Sequence, residues 1–398
     1  MPPRVVEELG VNAETEVLHV SLDVTAVPAR PAGAGRYIVE LTRTLDRRPD
    51  VELSLITRKG DLSWGQRAPE SRSSALGPRT RPIRLLWEQL RLPHVLARAR
   101  PDVHHSPHYT MPERAKVPVV VTVHDCTFFD HPEWHQWSKV VVFRRAIRVA
   151  ARRAAAVICV SEATEERLRA TCKVEVPVVV APHGVDHRRF RPTEEAPGAD
   201  AALLGGFGRA TGVDIERPMI LYVGTLEPRK GLVGLVQAFD LVAERFPEVR
   251  LVLAGQPGWG TAELDAAQRA IRHSHAVVRA GYVPDEVLPA LLRRALAVVY
   301  PALDEGFGVP ALEAMACGTP LVTTSGTPMA RLASGAALLA PPGDVSALGE
   351  AILCTLEQHG SGAARARRAK GIEIAAARTW EASAAAHVAA YRLAAASR

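Results

Sequence analysis

The run YVGTLEPRKGL sets Arg229 and Lys230 just after an apolar, strand-like stretch and just ahead of a helical pattern, with Gly224 closing the strand. Two cations in that position can hold a diphosphate, and a helix N-terminus beyond them adds its dipole. A lone Arg-Lys pair is ordinary in an exposed loop, so its neighbours carry the weight. In PALDEGFGVPALEAMACGTPLV, Glu305 stands in a Gly-rich loop and Glu313 follows eight residues later, inside a helix opened by Pro310. A turn such as Gly306-Phe307-Gly308 lets backbone N–H groups approach a ligand closely, and the carboxylates can accept hydrogen bonds from sugar hydroxyls. This chemistry suits a nucleotide sugar. No Asp-x-Asp element occurs, and Asp102, His104 and His105 lack a further partner at ligand spacing. The expectation is a site without an essential metal or other cofactor, in which Arg229 and Lys230 stand where a divalent ion would.

Such residues need a scaffold that brings strand ends together. Val17 to Val24, Val51 to Ile56, Pro118 to Val123, Ala155 to Val160 and Val176 to Val180 read as short Val- and Ile-rich strands with helical patterns between several of them. That rhythm implies a parallel sheet covered on both faces by helices. The pattern lapses into Pro, Gly and Ala between Arg191 and Arg217, which reads as a linker. It resumes with strands at Met219 to Val223, Val249 to Leu253, Ala276 to Val278, Leu296 to Tyr300, Leu321 to Thr323 and Ala337 to Leu339. The expected fold class is α/β: two doubly wound, Rossmann-like domains over residues 1–190 and 218–374, facing a cleft between them. The segment 375–398, Ala-rich and holding Trp380 and Tyr391, is expected to be a helix packing across the joint. The stretch from Lys59 to Arg81, rich in Ser, Arg and Gly, suggests a variable loop.

Composition agrees with two ordinary cores: the chain has 398 residues, about half of them apolar. Apolar runs such as Val117 to Val123 and Ala154 to Val160 stop well short of a membrane span. Glu7, Glu8, Glu14 and Glu16 interrupt the first twenty residues, so no secretion signal is expected and the protein is placed in the cytoplasm. Its five cysteines are scattered and never in CxxC spacing, which reads as buried thiols in a reducing compartment. With 49 basic against 43 acidic residues, the +6 charge suits a small anionic partner and not a nucleic acid. Arg81 to Arg100 and Lys139 to Arg153 concentrate basic and apolar residues. Each is either a solvated helix face or a peripheral contact with the inner face of the plasma membrane.

Taken together, the runs Tyr222 to Lys230 and Glu305 to Glu313 resemble glycosyltransferase family 4, whose members have the GT-B fold and retain anomeric configuration. GAGRY (Gly33 to Tyr37) is similar to that family's first-domain glycine loop, and VTVHDCTFFDHPEWH to its His-Asp segment. PDVHHSPHY, VSEAT and APHGVDHRRF fall where the family has similar text, with His183 in place of a frequent Asn. The resemblance implies a catalytic group of His124, Asp125 and Glu305. His124 would touch the donor sugar, Asp125 would orient it or meet the acceptor, and Glu305 would lie beside the transferred sugar. It further implies a donor site in which Gly306, Phe307, Gly308 and Val309 contact the sugar, Glu313 the ribose, and Arg229 and Lys230 the diphosphate. Gly224 closes the strand before that loop, and Gly35 lets the first-domain loop approach. The implied reaction moves a hexose from a nucleotide sugar to a glycan or lipid-linked acceptor. The text around SPHY and HDCTFFDHPEWH favours mannose, from GDP-mannose.

Other readings share the architecture. An NAD-dependent dehydrogenase would need GxGxxG, which GAGRY lacks, and the spaced glycines of GGFGRATG do not sit tightly between a strand and a helix. A nucleotide-sugar epimerase or phosphorylase, or a binding protein without turnover, would keep the same donor residues.

Overall fold

The computed structural model describes residues 16–29, 31, 33–78, 80–192 and 197–397. Glu7, Glu8 and Glu14, and Thr193 to Ala196 of the expected linker, lie outside the described residues.

Seven strands form the first sheet: β1 (Leu18–Asp23), β2 (Val51–Arg58), β3 (Arg72–Gly77), β4 (Val103–Ser106), β5 (Val119–Val123), β6 (Ala156–Cys159) and β7 (Val178–Val180). Six form the second: β8 (Met219–Val223), β9 (Arg250–Ala254), β10 (Val277–Gly281), β11 (Ala297–Tyr300), β12 (Leu321–Thr324) and β13 (Ala337–Ala340). The orders are β3-β2-β1-β4-β5-β6-β7 and β10-β9-β8-β11-β12-β13. All the described pairings are parallel. Both are doubly wound, and each reverses strand order once, between β1 and β4 and between β8 and β11. Ligand crevices open at such points, outside the carboxyl ends of the strands. The central strands are continuous apolar runs because helices cover both faces: every residue of β5, β6, β11 and β12 is buried.

Two strands escape the sequence patterns. β3 (RSSALG) lies within the stretch expected to be a loop; it is an edge strand, exposed along most of its length, so nothing selected apolar residues there. β4 (VHHS) is fully buried, and its histidines take the place of aliphatic residues by bonding to neighbouring strands. His104 Nδ1 pairs with Ser21 Oγ at 3.1 Å, and His105 Nε2 with Thr122 Oγ1 at 2.8 Å.

The expected linker also differs, because Pro197–Thr211 is a helix. Its glycines lower helix propensity, but Leu204 and Phe207 are buried in the second core, and that packing overrides propensity. The C-terminal helical text divides in two. Gly362–Ala376 packs on Val309–Ala316 of the second domain, and Trp380–Ala395 on β4 to β7 and the helix Ala34–Asp46 of the first. Trp380, Ala384, Val388, Tyr391 and Ala394 complete the first core. The chain therefore crosses the joint at Ala377 to Thr379, where Thr379 caps the last helix by accepting from the Ala382 N–H at 3.1 Å.

Candidate functional site

The residues after β8 and β11 meet at the switch point of the second sheet. Pro228–Lys230 forms one 3-10 turn before the helix Leu232–Arg245, and Leu303 N–H donates to the Arg229 carbonyl at 2.9 Å, which joins the two loops. Lys230 is buried, and its ammonium donates to Glu305 Oε2 and, at 2.9 Å, to Tyr300 Oη. Arg229 donates to the same Glu305 oxygen at 3.4 Å and to Glu227 Oε1 at 2.5 Å. Burial pushes the Glu305 carboxyl up, but Lys230 and Arg229 outweigh it and hold the group below the usual carboxylate range. Burial likewise works against the Arg229 charge, and Glu305, Glu227 and Asp125 more than offset it. Glu227, Arg229, Glu305 and Lys230 thus form an alternating chain of charges in which Glu305 bridges the two cations.

Glu313 lies in the Val309–Ala316 helix, whose N-cap is Gly308. Gly308 has φ of +98°, and a Cβ there would stand 2.3 Å from Met329 Cγ, so a glycine is required on both counts. Val309 opens the helix and packs on the second core. Glu313 is buried, which raises its carboxyl pKa despite the opposing effect of the Arg36 guanidinium, whose Nη1 donates to Oε1 at 2.8 Å. Arg36 also donates to Asp285 at 2.7 Å. It belongs to the first turn of Ala34–Asp46, next to Gly35, so the glycine loop does face the second domain.

His124 and Asp125 follow β5. The His124 ring is buried, its Nε2–H donates to the Pro107 carbonyl at 2.8 Å, and burial lowers its pKa, so the imidazole is neutral. Asp125 Oδ1 accepts from the Thr127 hydroxyl at 2.8 Å. Across the joint the Glu305 loop touches them directly: a Cβ on Gly306 would lie 1.8 Å from the His124 carbonyl oxygen. The Gly306 carbonyl is held from the first domain by Ser161 Oγ at 2.7 Å and Thr164 Oγ1 at 3.3 Å. Phe307 packs edge-on to His183, centroids 5.0 Å apart, and His183 lies 6.1 Å from the His124 ring.

The structure therefore brings Glu305, Arg229 and Lys230 into one cluster, sets His124 and Asp125 against Gly306, and links Gly35 to Glu313 through Arg36. Gly224 stands apart from these contacts and packs at the end of β9, where a Cβ on Gly255 would meet the Gly224 carbonyl at 1.8 Å. Sequence reasoning missed Arg36, Asp285, Tyr300 and Glu227. Arg36 stands inside GAGRY and Glu227 two residues before Arg229, so position relative to the motifs was their one signal. Among the described residues no group of three or more His, Cys, Asp and Glu converges as a metal would require.

Two doubly wound domains, one carrying a diphosphate-compatible cation pair and a ribose-compatible carboxylate and the other a His-Asp pair against the same loop, define a GT-B glycosyltransferase. Residues 209–372 match the model for glycosyl transferases group 1, and residues 31–189 match that for glycosyltransferase family 4. Over 346 residues the chain is 30% identical to the O-antigen chain mannosyltransferase B of Escherichia coli, covering 82% of this chain and 87% of that protein. The fold is similar to sucrose-phosphate synthase of Thermosynechococcus elongatus, with a TM-score of 0.76, 22% identity, and coverage of 96% of this chain and 100% of that one. It is also similar to Anabaena HepE in complex with UDP-glucose, with a TM-score of 0.73, 19% identity, and coverage of 94% and 99%. The chain belongs to glycosyltransferase family 4, the group 1 glycosyl transferases.

Proposed function

We propose that this glycosyltransferase moves mannose from GDP-mannose to a glycan or lipid-linked glycan acceptor, with retention and without an essential metal. The observation that carries the reading is the cluster of Arg229, Lys230 and Glu305, set against His124 and Gly306 across the joint. Mannose as the sugar is supported by the relative whose own name is O-antigen chain mannosyltransferase B.

In this mechanism the donor diphosphate takes Arg229 and Lys230 from Glu305, and the freed carboxylate accepts from the sugar hydroxyls. The two cations, fixed by the Glu227 and Tyr300 contacts, stabilise charge that builds on the leaving phosphate as the sugar becomes oxocarbenium-like. Glu313 takes the ribose hydroxyls. The acceptor oxygen bonds to the anomeric carbon on the face that the phosphate leaves, and its proton passes to a phosphate oxygen. Neutral His124, its ring fixed by Pro107, contacts the sugar, and Asp125 beside it orients the sugar or meets the acceptor.

Among the described residues no helix is long and apolar enough to cross a membrane. Cytoplasmic work at the inner membrane face is supported by the exposed Ile83, Leu86 and Leu90 on Arg81–Leu90 and the exposed Trp137, Val141 and Val142 on the basic helix Trp137–Arg153. The test offers GDP-mannose, UDP-glucose, UDP-N-acetylglucosamine and dTDP-rhamnose to the purified protein with EDTA and a mixture of glycan and lipid acceptors. Product linkage is read by NMR. An α-mannoside from GDP-mannose alone is expected; turnover of another donor, or a requirement for added divalent ion, would overturn that part of the reading.

A further inference from the structure

A cleft opens beside the catalytic cluster and is bordered by both domains. Glu227, Pro228, Pro301 and Leu303 line it, and they flank Arg229, Lys230 and Glu305 in the chain, so it lies beside the proposed donor site. Trp134 of the first domain and Trp259 of the second both line it. The His131 ring stacks on Trp134 with centroids 3.7 Å apart and an interplanar angle of 11°, which fixes the indole at the cleft edge. Trp259 belongs to the loop after β9, whose Gly258 N–H donates to the Leu226 carbonyl at 2.9 Å. Indole rings are broad, rigid and apolar with a polar edge, and match the C–H faces of a pyranose.

The charge of the wall is one-sided. Besides Glu227, which Arg229 neutralises from behind the wall, Glu133, Glu263 and Asp344 line the cleft, and among its described lining residues there is no Lys or Arg. In a chain with 49 basic residues and a formal charge of +6, a cation-free cleft next to a diphosphate site is selective. Carboxylates accept hydrogen bonds from hydroxyls and repel phosphates, so the wall favours neutral sugars and rejects anionic ones.

We propose that the cleft between Trp134 and Trp259 is the acceptor subsite and that it takes a neutral glycan, not a sugar phosphate; this rests on the transferase reading above. The two indoles stack on successive sugar rings, and the carboxylates take their hydroxyls. Because the indoles come from opposite domains, the subsite is complete only while the domains are paired.

The test titrates mannotriose, mannose and mannose 6-phosphate against the full chain, following tryptophan fluorescence and saturation-transfer NMR, with GDP and UDP titrated in parallel. The expected result is that mannotriose binds more tightly than mannose and mannose 6-phosphate binds at least tenfold more weakly than mannose. Trp134→Ala and Trp259→Ala are each expected to weaken mannotriose about tenfold or more, with GDP affinity unchanged. Trp259→Phe, which keeps an aromatic face, should recover most of the affinity and guards against misfolding of the alanine variant. Mannose 6-phosphate binding as tightly as mannose, mannotriose binding unchanged by both alanine variants, or no binding of any neutral saccharide would each overturn the proposal. Failure of both nucleotides to bind would instead count against the donor reading, since the saccharide titrations are read without nucleotide.

Discussion

Gly306→Ala tests whether the two halves of the site must touch. The added Cβ would lie 1.8 Å from the His124 carbonyl oxygen, 2.8 Å from its carbon and 3.3 Å from Asp125 Cβ. An ordinary C···O contact is about 3.3 Å, so the overlap is about 1.5 Å. Gly306 does not have a positive φ, so alanine is free of backbone strain there and the whole effect is the contact. The loop cannot retreat without stretching the bonds that Ser161 and Thr164 donate to the Gly306 carbonyl. Separation of His124 from Glu305 by about 1 Å is expected to cost about a hundredfold in kcat/KM, or about 2.7 kcal/mol of transition-state stabilisation. Because the overlap is between domains and not inside a core, the melting temperature should move by only a few degrees. Gly308→Ala supplies the contrast: its clash is with Met329 of the same domain at a φ of +98°, so stability should fall along with activity. The assay is transfer kinetics on both variants beside thermal melts followed by circular dichroism. Wild-type kcat/KM in Gly306→Ala, with the fold intact, would refute the need for contact between the His-Asp pair and the Glu305 loop.

Other expectations follow from the same contacts. Lys230→Met removes the cation that both Glu305 and Tyr300 hold, so turnover should drop by two to three orders of magnitude and Glu305 should be left buried with Arg229 at 3.4 Å as its remaining cation. Glu305→Gln should lose a similar amount of turnover with nucleotide affinity retained; steady-state kinetics and calorimetric nucleotide titration separate the two. Arg36→Met breaks ion pairs to Glu313 and Asp285 and strands a buried carboxylate, for a stability cost of about 3 kcal/mol. Pairing it with Glu313→Gln in a double-mutant cycle of urea denaturation should return most of that cost as coupling, and additive effects would dismiss the contact. For His387, burial holds the folded pKa at about 4 against an ordinary 6.5. Below pH 6.5 the unfolded chain takes up a proton that the native state refuses, so stability falls as pH drops through that window toward 4. Between pH 6.5 and 5 the loss from this group is about 1.6 kcal/mol. The stability gap between wild type and His387→Gln, from urea midpoints, should narrow by that amount over the same interval, and a constant gap would show that His387 takes up its proton in the native state as readily as in the unfolded chain.

What the sequence made legible follows from how each feature is encoded. Fully buried parallel strands such as β5 (VVVTV) and β11 (AVVY) announce themselves as apolar runs, and the Arg229-Lys230 and Glu305-to-Glu313 elements are contiguous text within one domain. β3 escaped because an exposed edge strand needs no apolar residues, and β4 because its histidines are buried by virtue of partners, Ser21 and Thr122, that only the folded sheet supplies. The helix Pro197–Thr211 escaped because its two anchors, Leu204 and Phe207, are sparse among residues that disfavour a helix. The contacts across the joint are the hardest class. Arg36 and Glu313 are 277 residues apart, and Ser161 and Gly306 are 145 apart. Nothing in either local pattern requires the other; what brings them together is the crossing of the chain at Ala377 to Thr379 and the burial of Trp380, Tyr391 and their neighbours in the first core. The C-terminal helix thereby acts on the site from a distance: Tyr37 adjoins Arg36, and its hydroxyl bonds to His387 at 2.8 Å while its ring lies 5.1 Å from His124. The first-domain half of the candidate site is thus held partly by the last helix of the chain, an alignment that no local motif encodes.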